Sequence, residues 1–288
     1  MKLSSSIYNL NQLRDYSSVF TRREANAVLN CDFSSLNAKI SRYDSAWYSK
    51  PKATYLTYLK HIYKVLENHY RNEYVYKNTF LNQWLIKELG QDNSIVYNEF
   101  RVGSSIADLV MFNGNSRVFE IKTELDSDKR LKTQLEDYFK IFNEVFLIIP
   151  EFNLNEFINL DSRVGIITFK NTNTFEVIKK PSYNTEIDAV TLMHLLRVEN
   201  YKSIVKTYYG NLPEMTSFTQ FDICKNYMKR IPKQVLNKLF INEVKKRKKN
   251  ESLSKNSFKE LNQISLALNM SLKQKETFIF NLRSPISI

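Results

Sequence analysis

The sequence predicts an α/β fold: a central mixed sheet flanked by helices, with additional N-terminal helices and a mostly α-helical, basic C-terminal region. Three observations carry this. Strand-like runs at 94–102, 106–112 and 117–122 follow one another, and Asn113-Gly114-Asn115-Ser116 between the last two is a strong hairpin signal. A helical pattern over 128–142 then leads into 145–149, a short apolar run ended by Pro150, as expected of a buried strand. From residue 188 onward the apolar spacing is helical throughout.

Taken in order, residues 1–50 are polar and mixed, with one short helix expected at 21–30. Residues 52–70 place Tyr55, Leu59, Ile62, Tyr63 and Leu66 on one helix face. Eight of the 17 tyrosines fall between Tyr43 and Tyr76, which suits an aromatic core face, with a base-stacking platform as the alternative. A helix over 77–89 carries Phe80, Leu81, Trp84 and Leu85 and is closed by Gly90. Asp126 and Ser127 can cap the helix at 128–142. Further strands are expected at 164–169 and 174–178, then helices at 188–208, 217–229, 233–247, 256–269 and 271–281, with breaks at Pro213 and Pro232. By texture the chain divides into a helical segment 1–72, a sheet-containing core 73–180 and a basic helical region 181–288.

Composition excludes several function classes. The five glycines never combine into a phosphate-cradling loop, which removes Walker-type and dinucleotide-binding enzymes. Cys31 and Cys224 lie far apart, so neither a zinc cluster nor a disulfide framework is legible, and a reducing cytoplasm is the expected location. The start is too polar for a signal peptide, and no apolar run is long enough to span a membrane. His194, within Leu192-Met193-His194-Leu195-Leu196, is expected to be a core histidine.

The net charge of +12 points to a polyanionic partner. It is unevenly placed: residues 201–288 hold 17 Lys+Arg and 6 Asp+Glu, and the first 200 residues are nearly neutral. Lys229, Arg230, Lys233 and the run Lys245-Lys246-Arg247-Lys248-Lys249 are therefore expected to contact nucleic acid. The same run also suits a solvated helix end, where cations complement the helix dipole.

The chemistry concentrates in two adjacent strands. Asp108 lies in Ser105-Ile106-Ala107-Asp108-Leu109-Val110, and Glu120 and Lys122 lie in Arg117-Val118-Phe119-Glu120-Ile121-Lys122. Charged groups embedded in apolar strands are expected to be paired or to hold a metal. Glu120 and Lys122, two apart, share a face. If the hairpin loop has an odd number of residues, such as 113–115, Phe112 pairs with Ser116 and Asp108 lies opposite Glu120. A two-residue loop would put the two carboxylates on opposite faces. Hard carboxylate oxygens suit Mg²⁺, with Mn²⁺ as alternative, and an adjacent lysine suits phosphodiester hydrolysis.

Asp108 followed by Glu120-Ile121-Lys122 resembles the PD-(D/E)xK nuclease superfamily, whose fold is restriction-endonuclease-like. Ala107 stands where that pattern often has proline. Gln134-Leu135-Glu136-Asp137-Tyr138 is similar to the QxxxY element of RecB-like members, and stretches around 73–78 and 98–103 look like small stand-alone bacterial and phage members. The resemblance covers 73–150 and implies Asp108, Glu120 and the backbone carbonyl of Ile121 as metal ligands and Lys122 as the catalytic lysine. It further implies that Gln134 and Tyr138 support the site or contact substrate. A further acidic ligand is left among Glu73, Glu88 and Glu99, and Arg130 is expected to be a phosphate clamp or a plain helix-face charge.

The expected function is a Mg²⁺-dependent deoxyribonuclease, an endonuclease acting in phage defence or DNA processing, with DNA favoured over RNA and no membrane partner. A homodimer or a co-encoded protein is the further partner considered. The alternative is a non-catalytic nucleic-acid-binding regulator or sensor that uses the helices at 217–229 and 233–247.

Overall fold

The computed structural model describes residues 7–86, 94–126, 129–247, 253 and 258–286. The chain begins with helices α1 (Leu10–Ser18), α2 (Arg22–Leu29), α3 (Ser34–Tyr43), α4 (Tyr55–His69) and α5 (Glu73–Phe80). Strands β1 (Ile95–Val102), β2 (Ser105–Phe112) and β3 (Ser116–Ile121) follow, then α6 (Leu131–Phe139), β4 (Glu144–Pro150), α7 (Leu154–Phe157), β5 (Gly165–Phe169) and β6 (Phe175–Lys179). The remainder is helical: α8 (Ala189–His194), α9 (Val198–Tyr209), α10 (Gln220–Met228), α11 (Lys233–Lys246), α12 (Asn262–Ala267) and α13 (Leu272–Leu282).

The six strands form one sheet in sequence order. The β1–β2, β2–β3 and β5–β6 pairs are antiparallel, whereas β3–β4 and β4–β5 are parallel. The sheet is therefore mixed, as expected. Strand β4 is apolar along nearly its whole length because it is central and covered on both faces. Helix α6 bridges β3 and β4 and lays Leu131, Leu135 and Tyr138 into the sheet core.

Two compact units emerge. One gathers Met1–Ile86, Thr123–Leu125 and Asn250–Ile288; the other gathers Lys87–Lys122 and Asp126–Lys249. These units cross the textural boundaries at 72/73 and 180/181. Helix α5 packs with the N-terminal helices through Val75, and α8 to α11 join the sheet core through residues such as Met193, Ile204, Met228 and Phe240. Amphipathic spacing shows that a helix has an apolar face; it does not show which core receives it.

In the helical unit the tyrosine-rich stretch is core. Tyr55, Tyr58, Tyr63 and Tyr76 are buried, and the hydroxyls of Tyr16 and Tyr58 both donate to Asp44 Oδ2, at 2.6 and 2.7 Å. Among the described residues of the polar first 50 there are three α-helices rather than one, with Tyr16, Ala25 and Ile40 on their inner faces. Asn281 of α13 donates to the Val28 carbonyl at 2.9 Å, closing the unit across 253 residues of sequence. The helix expected over 77–89 is α5 followed by a π-helical turn at Leu81–Leu85; its expected cap, Gly90, lies outside the described residues.

In the sheet unit the helix expected from residue 128 begins at Leu131 with no side-chain cap, so Asp126 does not fill the capping role; Ser127 and Asp128 lie outside the described residues. His194 is exposed at the end of α8 and meets Phe221 at 5.3 Å, so it is not the core residue its apolar neighbours implied. The helical turn there points it outward while Leu192 and Met193 are buried. Among the described residues no helix is long and apolar enough to cross a membrane.

Candidate functional site

The β2–β3 ladder fixes the site. Phe112 pairs with Ser116, Met111 with Arg117, Val110 with Val118 and Leu109 with Phe119. The connection is the three residues 113–115, closed by an Asn113 N–H bond to the Asn115 carbonyl at 3.1 Å, with Gly114 at φ +101. A side chain strains that left-handed conformation, so glycine suits it. One step further along this register, Asp108 faces Glu120. Of the two loop lengths weighed from the sequence, the connection is the odd one, which puts the two carboxylates on one face.

Asp108 Oδ2 accepts from the Ile121 N–H at 2.8 Å. Glu120 is buried, 3% exposed, and its carboxylate is held from three sides. Gln134 Nε2 donates to Oε1 at 2.6 Å, Tyr138 OH donates to Oε2 at 2.7 Å, and Lys122 Nζ lies 3.3 Å from Oε1. Lys122 Nζ also donates to Gln134 Oε1 at 3.1 Å. That pair of bonds orients the Gln134 amide, which must offer its nitrogen to Glu120 and its oxygen to Lys122. Gln134 and Tyr138 are one turn apart on α6, so a single helix face serves both. All five residues expected at the catalytic centre thus come together.

The electrostatics follow from burial. Desolvation and the neighbouring Asp108 carboxylate push Glu120 from 4.5 up to about 7, and the Tyr138 and Lys122 contacts only partly offset this. The Tyr138 phenol, buried beside Glu120, is pushed far above its ordinary value. It therefore stays protonated and acts as a donor.

Sequence reasoning missed the residue that seats the helix. Asp137 is buried on α6, and its Oδ2 accepts from Ser104 N–H at 3.2 Å, Ser104 Oγ at 3.1 Å and Ser105 Oγ at 2.9 Å. Burial pushes this carboxyl upward, but the bonds from Lys140, Ser105 and Ser104 outweigh it and hold it below the ordinary range. The contact is to Gly103, in the two-residue turn between β1 and β2. Gly103 has φ +57, and a Cβ there would stand 3.0 Å from the carboxyl atoms. The available signal was a buried-looking aspartate inside a QxxxY element, beside a Gly-Ser-Ser turn.

The remaining expected residues are spread out. Glu99 of β1 is level with Asp108 in the β1–β2 register, exposed, and at φ +54, unusual for a residue with a side chain. Among the described residues no three His, Cys, Asp or Glu side chains come together as a metal site. Glu73 belongs to the helical unit and pairs with Lys77; Glu88 lies outside the described residues. Arg130 is exposed just before α6.

The basic residues divide. Lys229 and Arg230 are exposed in the turn between α10 and α11, and Lys245 is half-buried. Lys233 pairs with Glu186, and Lys246 with Glu243 at 2.5 Å. Arg247 is held inside the unit, donating to Asn200 Oδ1 at 2.6 and 2.9 Å and to the Leu195 carbonyl at 3.1 Å. Lys248 and Lys249 lie outside the described residues.

A mixed sheet carrying facing carboxylates and a lysine, braced by one helix, is the class that fold and site define. The chain belongs to the family described as Bacteriophage P4 protein cII, whose model matches residues 66–270. It is 29% identical over 134 residues to protein cII of Enterobacteria phage P4, which covers 44% of this chain. The chain spans about half, 51%, of that relative's length. A solved Silicibacter pomeroyi protein of unknown function shares 14% identity with a TM-score of 0.28, covering 34% of this chain and 67% of that one.

Proposed function

We propose that this chain is a metal-dependent nuclease of PD-(D/E)xK type, acting on DNA. The observation that supports it is the convergence of Asp108, Glu120 and Lys122 on facing strands, with Gln134 and Tyr138 bonded into the same cluster. The donor set fits a hard divalent cation. Asp108 helps raise its neighbour Glu120, a like-charge conflict that a cation between them relieves. Two carboxylates, with the Ile121 carbonyl as a further oxygen, suit Mg²⁺ or Mn²⁺, which retain several waters.

When bound, the cation would supply Lewis acidity toward the phosphodiester. The chain's own residues do the rest. Lys122 keeps its ammonium at the rim, its side chain 13% exposed, where it can neutralise charge developing on the phosphate. Gln134 holds Lys122 and Glu120 in fixed relation. Tyr138 ties Glu120 to β2 by also reaching the Ile106 carbonyl at 3.1 Å. Lys229, Arg230 and Lys245 would grip the backbone in a salt-sensitive, sequence-independent way.

The test is incubation of supercoiled plasmid, linear duplex and single strands with Mg²⁺ or Mn²⁺. Cleavage is expected in the wild type and lost in Asp108→Ala, Glu120→Ala and Lys122→Ala, with nucleic-acid binding retained. Metal-independent binding without cleavage by any of the proteins would instead favour the non-catalytic regulator or sensor.

A further inference from the structure

In the helical unit, α12 ends at Ala267 and α13 starts at Leu272, so residues 268–271 alone join them. Local chemistry specifies that turn. Asn269 takes a left-handed φ of +51. Its N–H donates to the Leu266 carbonyl and the Met270 N–H to the Ser265 carbonyl, both at 3.0 Å, which is the Schellman ending of a helix. Ser271 then caps α13. Its Oγ accepts from the Gln274 N–H at 3.2 Å, and Gln274 Oε1 accepts from the Ser271 N–H at 2.9 Å.

The helix pair is braced on both sides. Lys275 Nζ in α13 donates to Oδ1 of Asn262, the first residue of α12, at 2.8 Å. Asn281 near the end of α13 donates to the Val28 and Leu29 carbonyls of α2, at 2.9 and 3.2 Å. Ala25 and Val28 of α2, Ile264 of α12, Met270 of the turn and Phe278 and Leu282 of α13 share one core. A helix pair with so short a turn, seated on a third helix, has the make-up of a helix-turn-helix unit, whose second helix enters the DNA major groove.

The outer face of α13 carries groups that suit a groove. Lys273, Glu276, Thr277 and Phe280 recur at three- and four-residue spacing, and all are exposed, Phe280 by 74%. Lysine pairs with guanine O6 and N7, glutamate accepts from cytosine N4, and a phenyl ring meets the thymine methyl. The Thr277 hydroxyl donates back to the Lys273 carbonyl at 3.0 Å and can still accept from a base amine. Cations stand at both ends of this stripe, which complements the phosphates bordering a groove. Lys273 is in the first turn. Beyond the last turn, exposed Lys60 and Arg283 bring their charges within 5.4 and 5.7 Å of the Phe258 ring centre. The eleven residues of α13 span roughly 16 Å, enough to cross a groove about 12 Å wide. We propose that α13 is a recognition helix that reads a short sequence of duplex DNA through this stripe, with Lys60 and Arg283 on flanking phosphates. The proposal does not rest on the nuclease reading, whose residues lie in the sheet unit.

The test is selection by the full chain from a pool of randomised twenty-base-pair duplexes in the presence of a chelator, so that cleavage plays no part. A common motif is expected among the enriched duplexes. Thr277→Ala and Phe280→Ala, both at exposed positions, should each weaken binding of the enriched duplex about tenfold and relax the preference at one base pair. Their affinity for an unrelated duplex and their thermal midpoints should not change. Lys60→Ala with Arg283→Ala should weaken both duplexes alike. A pool that yields no common motif, or a motif bound equally well by the two α13 variants, would overturn the proposal. So would a Phe280→Ala chain that keeps its DNA affinity but elutes at a smaller mass, since the stripe would then be an interface between copies.

Discussion

The Tyr138 hydroxyl donates to Glu120 Oε2 at 2.7 Å, joining α6 to β3 at a buried carboxylate. This bond lowers the cost of keeping Glu120 charged, and the Tyr138 phenol stays protonated because it is buried and the same carboxylate is beside it. Tyr138→Phe removes the donor and nothing else of the ring. An unsatisfied buried acceptor costs about 1–3 kcal/mol, more when charged. Urea unfolding at pH 8 should show a loss in that range, and a smaller loss at pH 5, where a protonated Glu120 no longer needs a donor at Oε2. Equal losses at both pH values would count against the bond's role.

Glu120 also makes stability depend on pH in an unusual direction. Its value rises from 4.5 to about 7 on folding, so the folded state favours the protonated form. Its contribution is fully present below 4.5, is lost as pH rises toward 7, and stays lost above. The span corresponds to roughly 3 kcal/mol. Glu120→Gln should remove this slope and be the more stable protein at pH 8. Asp137, Asp161 and Glu243 are shifted the opposite way, so the difference between wild type and variant isolates Glu120. Asp108→Asn should also stabilise at pH 8, because it deletes the charge that opposes Glu120. If the site holds a divalent cation, the same change should abolish Mn²⁺ binding measured calorimetrically.

The register that brings these carboxylates together was legible because it reduces to parity. The Asn113-Gly114-Asn115-Ser116 signal marks the hairpin, parity decides which side chains share a face, and the odd case is the one that brings the two carboxylates together. The helix carrying Gln134 and Tyr138 was legible from its spacing. What was hidden depends on groups far apart in the chain. Asn281 reaches the Val28 carbonyl across 253 residues, and no local pattern announces it. Arg247 sits inside a run of cations that looks solvated, yet Asn200 and the Leu195 carbonyl hold it. Asp137 seats its helix on the Gly103-Ser104 turn, more than 30 residues earlier in the chain, a partner that the spacing of its own helix does not reveal.

That turn yields a third prediction. Gly103 combines a left-handed φ of +57 with a 3.0 Å approach of the Asp137 carboxyl to any added Cβ. Gly103→Ala should destabilise the protein by about 1–3 kcal/mol through strain and displaced packing. Because Asp137 precedes Tyr138, the displacement should reach the site: Gly103→Ala should shift the pH dependence of unfolding that Glu120 sets. Asp137→Ala, which leaves the turn unstrained, should lose the serine bonds and reproduce part of that shift. An unchanged pH profile in both variants would separate the turn from the site.

The basic residues separate into grip and scaffold, and substitution distinguishes them. Arg247 has its own high value lowered by burial, and its guanidinium fills three hydrogen bonds inside the sheet unit. Arg247→Ala is therefore expected to cost on the order of 2–3 kcal/mol in urea unfolding, by leaving Asn200 and a carbonyl unpaired. Lys229 and Arg230 are exposed in the α10–α11 turn, and Lys229→Ala with Arg230→Ala should leave the unfolding midpoint unchanged. If they contact phosphates, the double variant should weaken nucleic-acid binding uniformly across sequences and reduce the slope of log affinity against log salt by about 2. Binding that survives the double variant with an unaltered salt slope would place the grip elsewhere on the chain.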